Sequence, residues 1–263
     1  MTVTTTSKDG VFTIVLDRPE ARNAMTGEMW VMLLDALETA QRDESIGCVV
    51  LTGAEGAFCA GGDVKGFAER LSGQSKAKLE DDIGRIQHIV RTSKLLHTMP
   101  KVTIAAINGA AAGAGLSLAL ACDLRIMADD AKLTTAFANI ALSGDFGGAY
   151  FLSKIVGQAK ARELFFLSPT LTGAEAAAAG VVNRSVPRDA FTTTVAAAAG
   201  HIANGPKSTL AAMKANFNLA ETASLDDYLM VEAERMARSF YTSDHREAAM
   251  AFVEKRKPNF SGQ

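Results

Sequence analysis

The alternation of short apolar runs with helix-forming stretches constrains the fold of this chain more than any other feature. Val11–Leu16 and Cys48–Leu51 are β-branched or apolar runs closed by turn residues, and Thr26–Arg42 between them is amphipathic, with Thr26 placed as an N-cap. The same order of strand, helix and strand returns at Val102–Ile107, Gly113–Ala121 and Leu124–Met127. This repetition predicts an α/β architecture.

Strand-forming runs stop after Pro206, and helical patterns follow. These patterns cover Ser208–Leu219, Leu225–Phe240 and Asp244–Lys255, and Asp244 and Glu247 have the spacing of a capping box for the last helix. A chain of 263 residues is long for one compact domain. We therefore expect a core over residues 1–205 and a helical appendage over residues 206–263.

A polar stretch separates the two strand-containing halves of the core. It runs from Glu69 to Asp82, is rich in Ser, Lys and Gly, and precedes a helix predicted at Ile83–Leu96. Exposed connections of this kind often carry function. The stretch is a candidate loop for covering a substrate.

The charge balance narrows the class of partner. The chain has 27 basic and 29 acidic residues, a formal net charge of -2 and no long block of Lys or Arg. This composition argues against nucleic acid or an anionic membrane as the main partner and favours a small molecule. The first eight residues contain no apolar signal segment, and no run of about 18 apolar residues occurs, so we expect a cytoplasmic protein.

The potential metal ligands are scattered singly along the chain. They are Cys48, Cys59, Cys122, His88, His97, His201 and His245. No Cys-x-x-Cys pair and no ligand spacing occurs among them, so we expect buried thiols and no metal site.

Two glycine-rich stretches carry the chemistry. Ala57–Asp63 holds two adjacent glycines after a predicted strand, and Asn108–Gly115 follows another strand and leads into a helix. Backbone N–H groups at such turns and helix N-termini attract negative charge, and two of them on one oxygen would form an oxyanion hole. By spacing alone, close packing is the commoner use of such turns. The second stretch also lacks the residues that complete a nucleotide-binding fingerprint.

Taken together, the order and separation of these stretches resemble the crotonase family, also called the enoyl-CoA hydratase/isomerase superfamily. The resemblance covers nearly the whole chain and includes Leu16–Ala24, Ala121–Ile126, Asp145–Gly148 and Arg246–Phe260. It implies a spiral of repeated ββα units followed by helices that mediate trimers, often paired into hexamers. It also implies an acyl-CoA thioester as substrate, with coenzyme A part of that substrate and no separate cofactor.

The resemblance assigns roles to particular residues. The N–H groups of Gly62 and Ala114 would form the oxyanion hole for the thioester carbonyl. The other residues expected at the substrate are Arg22, Ala24, Ala60, Gly61, Asp63, Val64, Gly113, Ser117, Phe137 and Lys255. Arg22 and Lys255 are expected near the phosphates of CoA, while Asp63 is also suited to bracing its own turn.

The chain departs from the hydratase pattern at two positions. Hydratases that it resembles add water with two glutamates, and these positions fall on Ser117 and Phe137. Asp145 remains as the acid/base candidate, which makes the chain most similar to ring-epoxide isomerases of phenylacetyl-CoA degradation and related enoyl-CoA isomerases. A single carboxylate can shuttle a proton in an isomerisation, and burial beside Phe137 and Phe146 would raise its pKa.

Other interpretations stay open at this point. By position alone, Asp145 is equally suited to capping a helix that starts near Gly147. The alternatives to an isomerase are a hydratase or related lyase that positions water with Asp145 and Ser117, and a non-catalytic protein that binds acyl-CoA. A dehalogenase-like use of Asp145 as nucleophile ranks lowest.

Overall fold

Two sheets organise the chain in the computed structural model, which describes residues 2–64, 66 and 78–262. The first sheet contains six strands in the order β1 (Val3–Lys8), β2 (Val11–Leu16), β3 (Cys48–Gly53), β5 (Val102–Ile107), β7 (Leu124–Ala128) and β10 (Arg184–Val186). The second contains four, in the order β4 (Ala57–Cys59), β6 (Ala110–Ala112), β8 (Lys132–Thr134) and β9 (Leu171–Thr172). The predicted strands at Val11–Leu16 and Val102–Ile107 are confirmed residue for residue.

The connections between the sheets produce a spiral. Each of the strand pairs β3–β4, β5–β6 and β7–β8 places its first strand in the six-stranded sheet and its second strand in the four-stranded sheet. Neighbouring pairs run parallel in both sheets. Each pair is therefore one step of a spiral, and the turn between its strands lies at the carboxyl end of the first strand.

The helices in chain order are α1 (Gly27–Arg42), α2 (Leu79–Ile89), α3 (Arg91–Thr98), α4 (Ala114–Ala121), α5 (Gly148–Val156), α6 (Gln158–Leu167), α7 (Gly173–Ala178), α8 (Arg188–Ala203), α9 (Lys207–Ala220), α10 (Leu225–Ser239) and α11 (Ser243–Glu254). Thr26 caps α1 as predicted, because its hydroxyl accepts the N–H of Met29. In α4 all eight residues are buried, which places this helix at the centre of the core.

Two predictions about helices are wrong in detail. The predicted helix at Ile83–Leu96 is interrupted at Val90, where α2 ends and α3 begins. The cap of α11 is Thr242 and not Asp244, since the Thr242 hydroxyl accepts the N–H of His245. The sequence spacing failed here because both carboxylates have distant partners.

Those partners belong to the C-terminal tail. The buried Asp244 carboxylate accepts the N–H groups of Ser261 and Gly262, while Glu247 pairs with Arg256 and accepts the N–H of Asn259. The last helix is thus fastened to the residues that follow it.

The helices after Pro206 form at the predicted places, within a residue or two at each end. The division at residues 205 and 206 itself stays a prediction. Residues 69–77 of the predicted covering loop lie outside the described residues, and its end forms the first turn of α2. Within the described ranges, no helix combines the length and the apolar character needed to span a bilayer.

Candidate active site

The first glycine-rich turn leaves one N–H group without an acceptor. Ala60 donates to the carbonyl of Arg22, Gly61 donates to the Cys59 thiol, and Asp63 donates to the carbonyl of Met25. Between them, the N–H of Gly62 donates to no acceptor among the residues described. The turn therefore presents a single backbone donor, and its neighbours hold that donor in place.

Two side chains from the preceding segment clamp this turn. The amide of the fully buried Asn23 donates to the carbonyls of Ala54 and Ala57, at 2.9 and 2.8 Å, and accepts the N–H of Arg18. Nη1 of Arg18 donates to the Ala24 carbonyl at 3.1 Å and to the Asp63 carboxylate at 2.9 Å. The segment from Arg18 to Met25 thus runs beside the turn as its support.

The second glycine-rich turn is shaped by backbone conformation. Gly113 has φ of 51° and is the N-cap of α4, and its own N–H donates to Thr134 in β8. The carbonyl of Gly113 accepts the first helical bond, from Ser117. Ala114 is the first helical residue, so its N–H has no helical acceptor and points out of the N-terminus. No other described group accepts it.

Glycines bring the two turns into contact. A Cβ at Gly61 would lie 3.6 Å from the nitrogen of Ala114, and a Cβ at Gly115 would lie 2.7 Å from the Cβ of Cys59 and closer still to its carbonyl oxygen. Only residues without side chains permit this approach. Two unbonded N–H groups held this close can bind one oxygen that carries negative charge.

Asp145 lies in a loop of unusual backbone conformation. Gly144 and Gly147 have φ of 103° and 74°, and Phe146 has φ of 50°, a costly conformation for an aromatic residue. The Phe146 ring is buried and stacks on Trp30 of α1 at a centroid distance of 4.0 Å. This packing offsets the backbone strain and fixes the loop that carries the carboxyl.

The Asp145 carboxyl is a poorly solvated acid. Its Oδ1 atom is buried and has no hydrogen-bond partner in the part of the chain that is described. Burial raises the pKa of Asp145 from 3.8 to about 6. Helix α5 is capped by Gly147, so the capping interpretation of Asp145 is wrong, and the side chain is left for another use.

Several contacts place this loop at the two turns. The Phe137 ring lies against both Gly113 and Gly144, while the Ser117 hydroxyl lies against Gly148. Burial raises the pKa of the Cys59 thiol to about 12, and the nearby charge of Asp145 adds to this increase. The Asp145 loop therefore lies next to both α4 and the first turn.

The side chains at the two hydratase positions have structural surroundings. Ser117 is 1% exposed, and its hydroxyl donates back to the carbonyl of Gly113 at 3.3 Å. Phe137 is buried and stacks on Phe165, with ring centroids 6.0 Å apart. Neither side chain can act as a general acid or base.

The remaining predicted residues divide into two groups. Ala24 is buried beside the first turn, Arg22 is exposed next to Ala60, and Val64 is 52% exposed just beyond Asp63. Lys255 lies elsewhere, as the C-cap at the exposed end of α11, where its backbone N–H donates to the carbonyl of Phe252 and its side chain makes no hydrogen bond or ion pair with a described residue. The fold of one chain thus gathers all the predicted positions except Lys255.

Sequence reasoning missed the side chains that support the site. In the sequence, Arg18 and Asn23 stand out only as part of a family motif, and Cys59 only as a buried thiol. Their partners lie 31 to 45 residues away for the Asn23 and Arg18 contacts, so no local pattern could reveal them.

The comparisons with known proteins agree with this geometry. A family model described as enoyl-CoA hydratase/isomerase matches residues 6–263. The 1,2-epoxyphenylacetyl-CoA isomerase of Escherichia coli (strain K12) is 36% identical over 255 residues, which are 97% of this chain and 96% of that protein. The crotonyl-CoA hydratase of Syntrophomonas wolfei is 30% identical over 248 residues, which are 94% and 93% of the two chains.

Solved structures have the same fold over the full length. The enoyl-CoA hydratase from Bacillus anthracis has a TM-score of 0.92 at 28% identity and covers 100% of both chains. The enoyl-CoA hydratase from Polaromonas sp. JS666 has a TM-score of 0.91 at 30% identity, covering 98% of this chain and 99% of that one. The predicted crotonase-like α/β fold is therefore confirmed, and the chain belongs to the enoyl-CoA hydratase/isomerase family.

Proposed function

We propose that this enzyme isomerises an acyl-CoA thioester with Asp145 as its single acid and base. The observation that carries the proposal is the buried Oδ1 of Asp145, which has no partner among the described residues, beside two turns that each leave one N–H without a described acceptor. The N–H groups of Gly62 and Ala114 bind the thioester oxygen, and Asp145 faces the carbon chain.

The reaction moves one proton from one atom of the substrate to another. The Asp145 carboxylate removes a proton from a carbon α or γ to the thioester, and the electron pair moves onto the thioester oxygen as an enolate. The two N–H donors stabilise this oxyanion, and each donor of this kind contributes about 3 kcal/mol to the transition state. Asp145 then returns the same proton to a different carbon. In an epoxide substrate the enolate electrons instead re-form the carbonyl and break one C–O bond of the ring, and the proton goes to the oxygen released by that bond.

The surroundings of Asp145 suit this role. Its pKa of about 6 leaves it ionised at neutral pH yet basic enough to take up a proton. The aromatic pairs Trp30–Phe146 and Phe137–Phe165 flank its loop and favour an unsaturated or aromatic acyl group. The E. coli relative named for an aromatic epoxide is consistent with that preference.

Hydration is the less favoured reaction. A hydratase must hold and activate a water molecule, but the Ser117 hydroxyl is buried and bonded to Gly113, and Phe137 offers only a ring. With Asp145 as the one buried carboxyl at the site among the described residues, addition of water lacks the second group that would position it.

The test uses an Asp145→Asn variant with crotonyl-CoA, 3-enoyl-CoA and aromatic epoxide thioesters. Turnover should fall by about 10²- to 10⁴-fold, while the Kd for butyryl-CoA should change less than threefold. Asp130→Asn serves as the control, since Asp130 pairs with Arg188 on the surface. An Asp145→Asn enzyme with full turnover, or a wild-type enzyme that hydrates crotonyl-CoA efficiently, would overturn the proposal.

The proposal extends to assembly. Helices α9 and α11 and the turn between α10 and α11 expose large apolar side chains that include Phe217, Phe252 and Tyr241, with exposed fractions of 78%, 85% and 90%. Apolar surface of this extent favours contact with further copies of the chain. We expect a trimer or hexamer, which light scattering after size-exclusion chromatography measures. A monomer at micromolar concentration would contradict this expectation.

A further inference from the structure

We infer that Arg18 is a positioning residue for the Gly62 donor, an inference that rests on the proposed function. Arg18 does not line the turn itself. Its guanidinium contacts the two residues that bracket the turn in space, the Ala24 carbonyl at 3.1 Å and the Asp63 carboxylate at 2.9 Å. Asp63 directly follows Gly62, so the side chain holds the donor from one peptide unit away.

The backbone contacts of the turn explain why a clamp is needed. Met25 donates to Gly61 at 2.8 Å and accepts from Asp63 at 3.1 Å, an isolated bridge on which the Gly62 peptide depends. Two adjacent glycines give this stretch a large conformational freedom when it is not held. The direction of the Gly62 N–H therefore depends on the distance between the segment that contains Met25 and Asp63.

Arg18 fixes that separation by bonding both sides with one nitrogen. The guanidinium is planar and permanently charged, and its bond to Asp63 is charge-assisted. The two side chains are about one fifth exposed, 22% for Arg18 and 21% for Asp63, so the pair is partly shielded from water. Glu20 adds a third contact to the guanidinium at 3.5 Å.

The segment that carries Arg18 is itself rigid. The backbone N–H of Arg18 donates to the Asn23 side chain, and the backbone carbonyl of Arg18 accepts the N–H groups of Ala21 and Asn23. Asn23 is in turn fully buried and bonded to the chain before β4. The backbone that carries the guanidinium is therefore fixed, and the guanidinium acts on Gly62 by orienting its N–H.

A positioning role predicts that enolate formation suffers more than ligand binding. Butyryl-CoA and phenylacetyl-CoA serve as probes, because exchange of their α-protons in deuterated water reports enolate formation while calorimetry gives their Kd. Arg18→Gln should lower the exchange rate by 10- to 100-fold, with Kd changed less than threefold. Arg18→Lys should fall between it and the wild type, since an ammonium lacks the planar geometry of the guanidinium.

A double-mutant cycle and a matched control complete the test. Arg18→Gln combined with Asp63→Asn should cost less than the sum of the single changes, because both act through one contact. Arg91→Gln removes a pair with Glu38 that is also 2.9 Å long, and it should leave exchange unchanged. Equal losses in exchange rate and Kd, or unchanged exchange in Arg18→Gln, would overturn the inference. A wild-type enzyme that exchanges no α-proton would instead refute the proposed function.

Discussion

The two glycine-rich turns each present one unbonded N–H, but they are held by opposite means. The first turn is held by side-chain bonds, from Arg18 and Asn23 of the preceding segment and from its own Cys59 thiol. The second is the N-terminus of a fully buried helix and is held by close backbone packing at Gly113 and Gly115. The unbonded N–H of the first turn is thus positioned by side-chain hydrogen bonds, and that of the second turn by backbone packing that only glycine permits.

This difference decides how each turn can fail. In a turn held by several side-chain hydrogen bonds, one substitution removes only one of them, because each bond has its own partner. A turn held by backbone packing has no spare volume, so that one added carbon displaces the whole helix end. Substitutions in the second turn should therefore cost more than those in the first.

The largest effect is expected for Gly115→Ala. Its Cβ would lie 2.7 Å from the Cβ of Cys59 and within overlap of the Cys59 carbonyl, so α4 must shift away from the first turn. We expect a loss of about 2–3 kcal/mol in the free energy of unfolding. Turnover should fall by at least about 100-fold, because the Ala114 donor moves with the helix. Urea unfolding and steady-state kinetics measure the two effects.

Gly200→Ala is the matched control for that substitution. Gly200 lies inside α8, and a Cβ there meets nothing within 4 Å. Alanine should raise the free energy of unfolding by about 0.5–1 kcal/mol through helix propensity, with turnover unchanged. If Gly115→Ala behaved like Gly200→Ala, close packing would not be what holds the second turn.

The first turn is tested by Asn23→Asp, which keeps the shape and removes both donors. The carboxylate would face the carbonyls of Ala54 and Ala57, and Asn23 is fully buried, so we expect a loss of about 2 kcal/mol at pH 8. The loss should be smaller at pH 5, because a protonated carboxyl can donate one of the two bonds.

Chemical denaturation at both pH values measures this dependence. Asn204→Asp is its control, because the exposed side chain of Asn204 makes a single hydrogen bond, to the Gly200 carbonyl, and its loss should cost less than about 1 kcal/mol. Equal losses at pH 5 and pH 8 would argue against an electrostatic origin.

The contrast between the turns also explains what the sequence could predict. The second turn is local: a strand, glycines and a helix of small residues follow one another, and both the helix start and the strand Val102–Ile107 were predictable within one residue. The glycines of the first turn are equally visible. Its clamp is not, because Arg18 and Asp63 are 45 residues apart and charged residues normally face solvent.

Long-range contacts explain the other errors too. Asp244 and Glu247 have the spacing of a capping box, but the C-terminal tail binds both carboxylates. Asp145 precedes a predicted helix start near Gly147 and is a residue type preferred at N-caps, but Gly147 is the cap, and the loop is fixed by the stacking of Phe146 on Trp30. Local spacing predicted the helices, but contacts with residues distant in the sequence determine what the carboxyls of Asp145, Asp244 and Glu247 do.

The titration of Asp145, the proposed base, should appear in the pH profile. Its pKa is raised to about 6, so the fraction of free enzyme with an ionised base falls as pH decreases below 6. The value of kcat/KM should drop about tenfold per pH unit there and reach a plateau above pH 7. A profile that stays flat from pH 5 to pH 8 would contradict Asp145 as the base.

The same titration affects stability with a definite sign. The folded protein holds the Asp145 proton more tightly than the unfolded chain, whose pKa is near 3.8, so stability falls as pH rises from about 4 to about 6. Asp145→Asn removes this cost and should stabilise the protein by about 1 kcal/mol at pH 7, after allowance for partial exposure. Thermal unfolding of both proteins at pH 4.5 and pH 7 measures the difference.

The smallest effect is expected for Ser117→Ala, and it separates the two reactions. The Ser117 hydroxyl is bonded to Gly113 and packed against Gly148, so its loss should cost about 1 kcal/mol of stability. Isomerisation does not use this hydroxyl, and turnover should stay within threefold of the wild type. A hydratase that holds its water through Ser117 would lose at least tenfold. Such a loss would mean that the second turn supplies a side chain to the reaction in addition to its N–H.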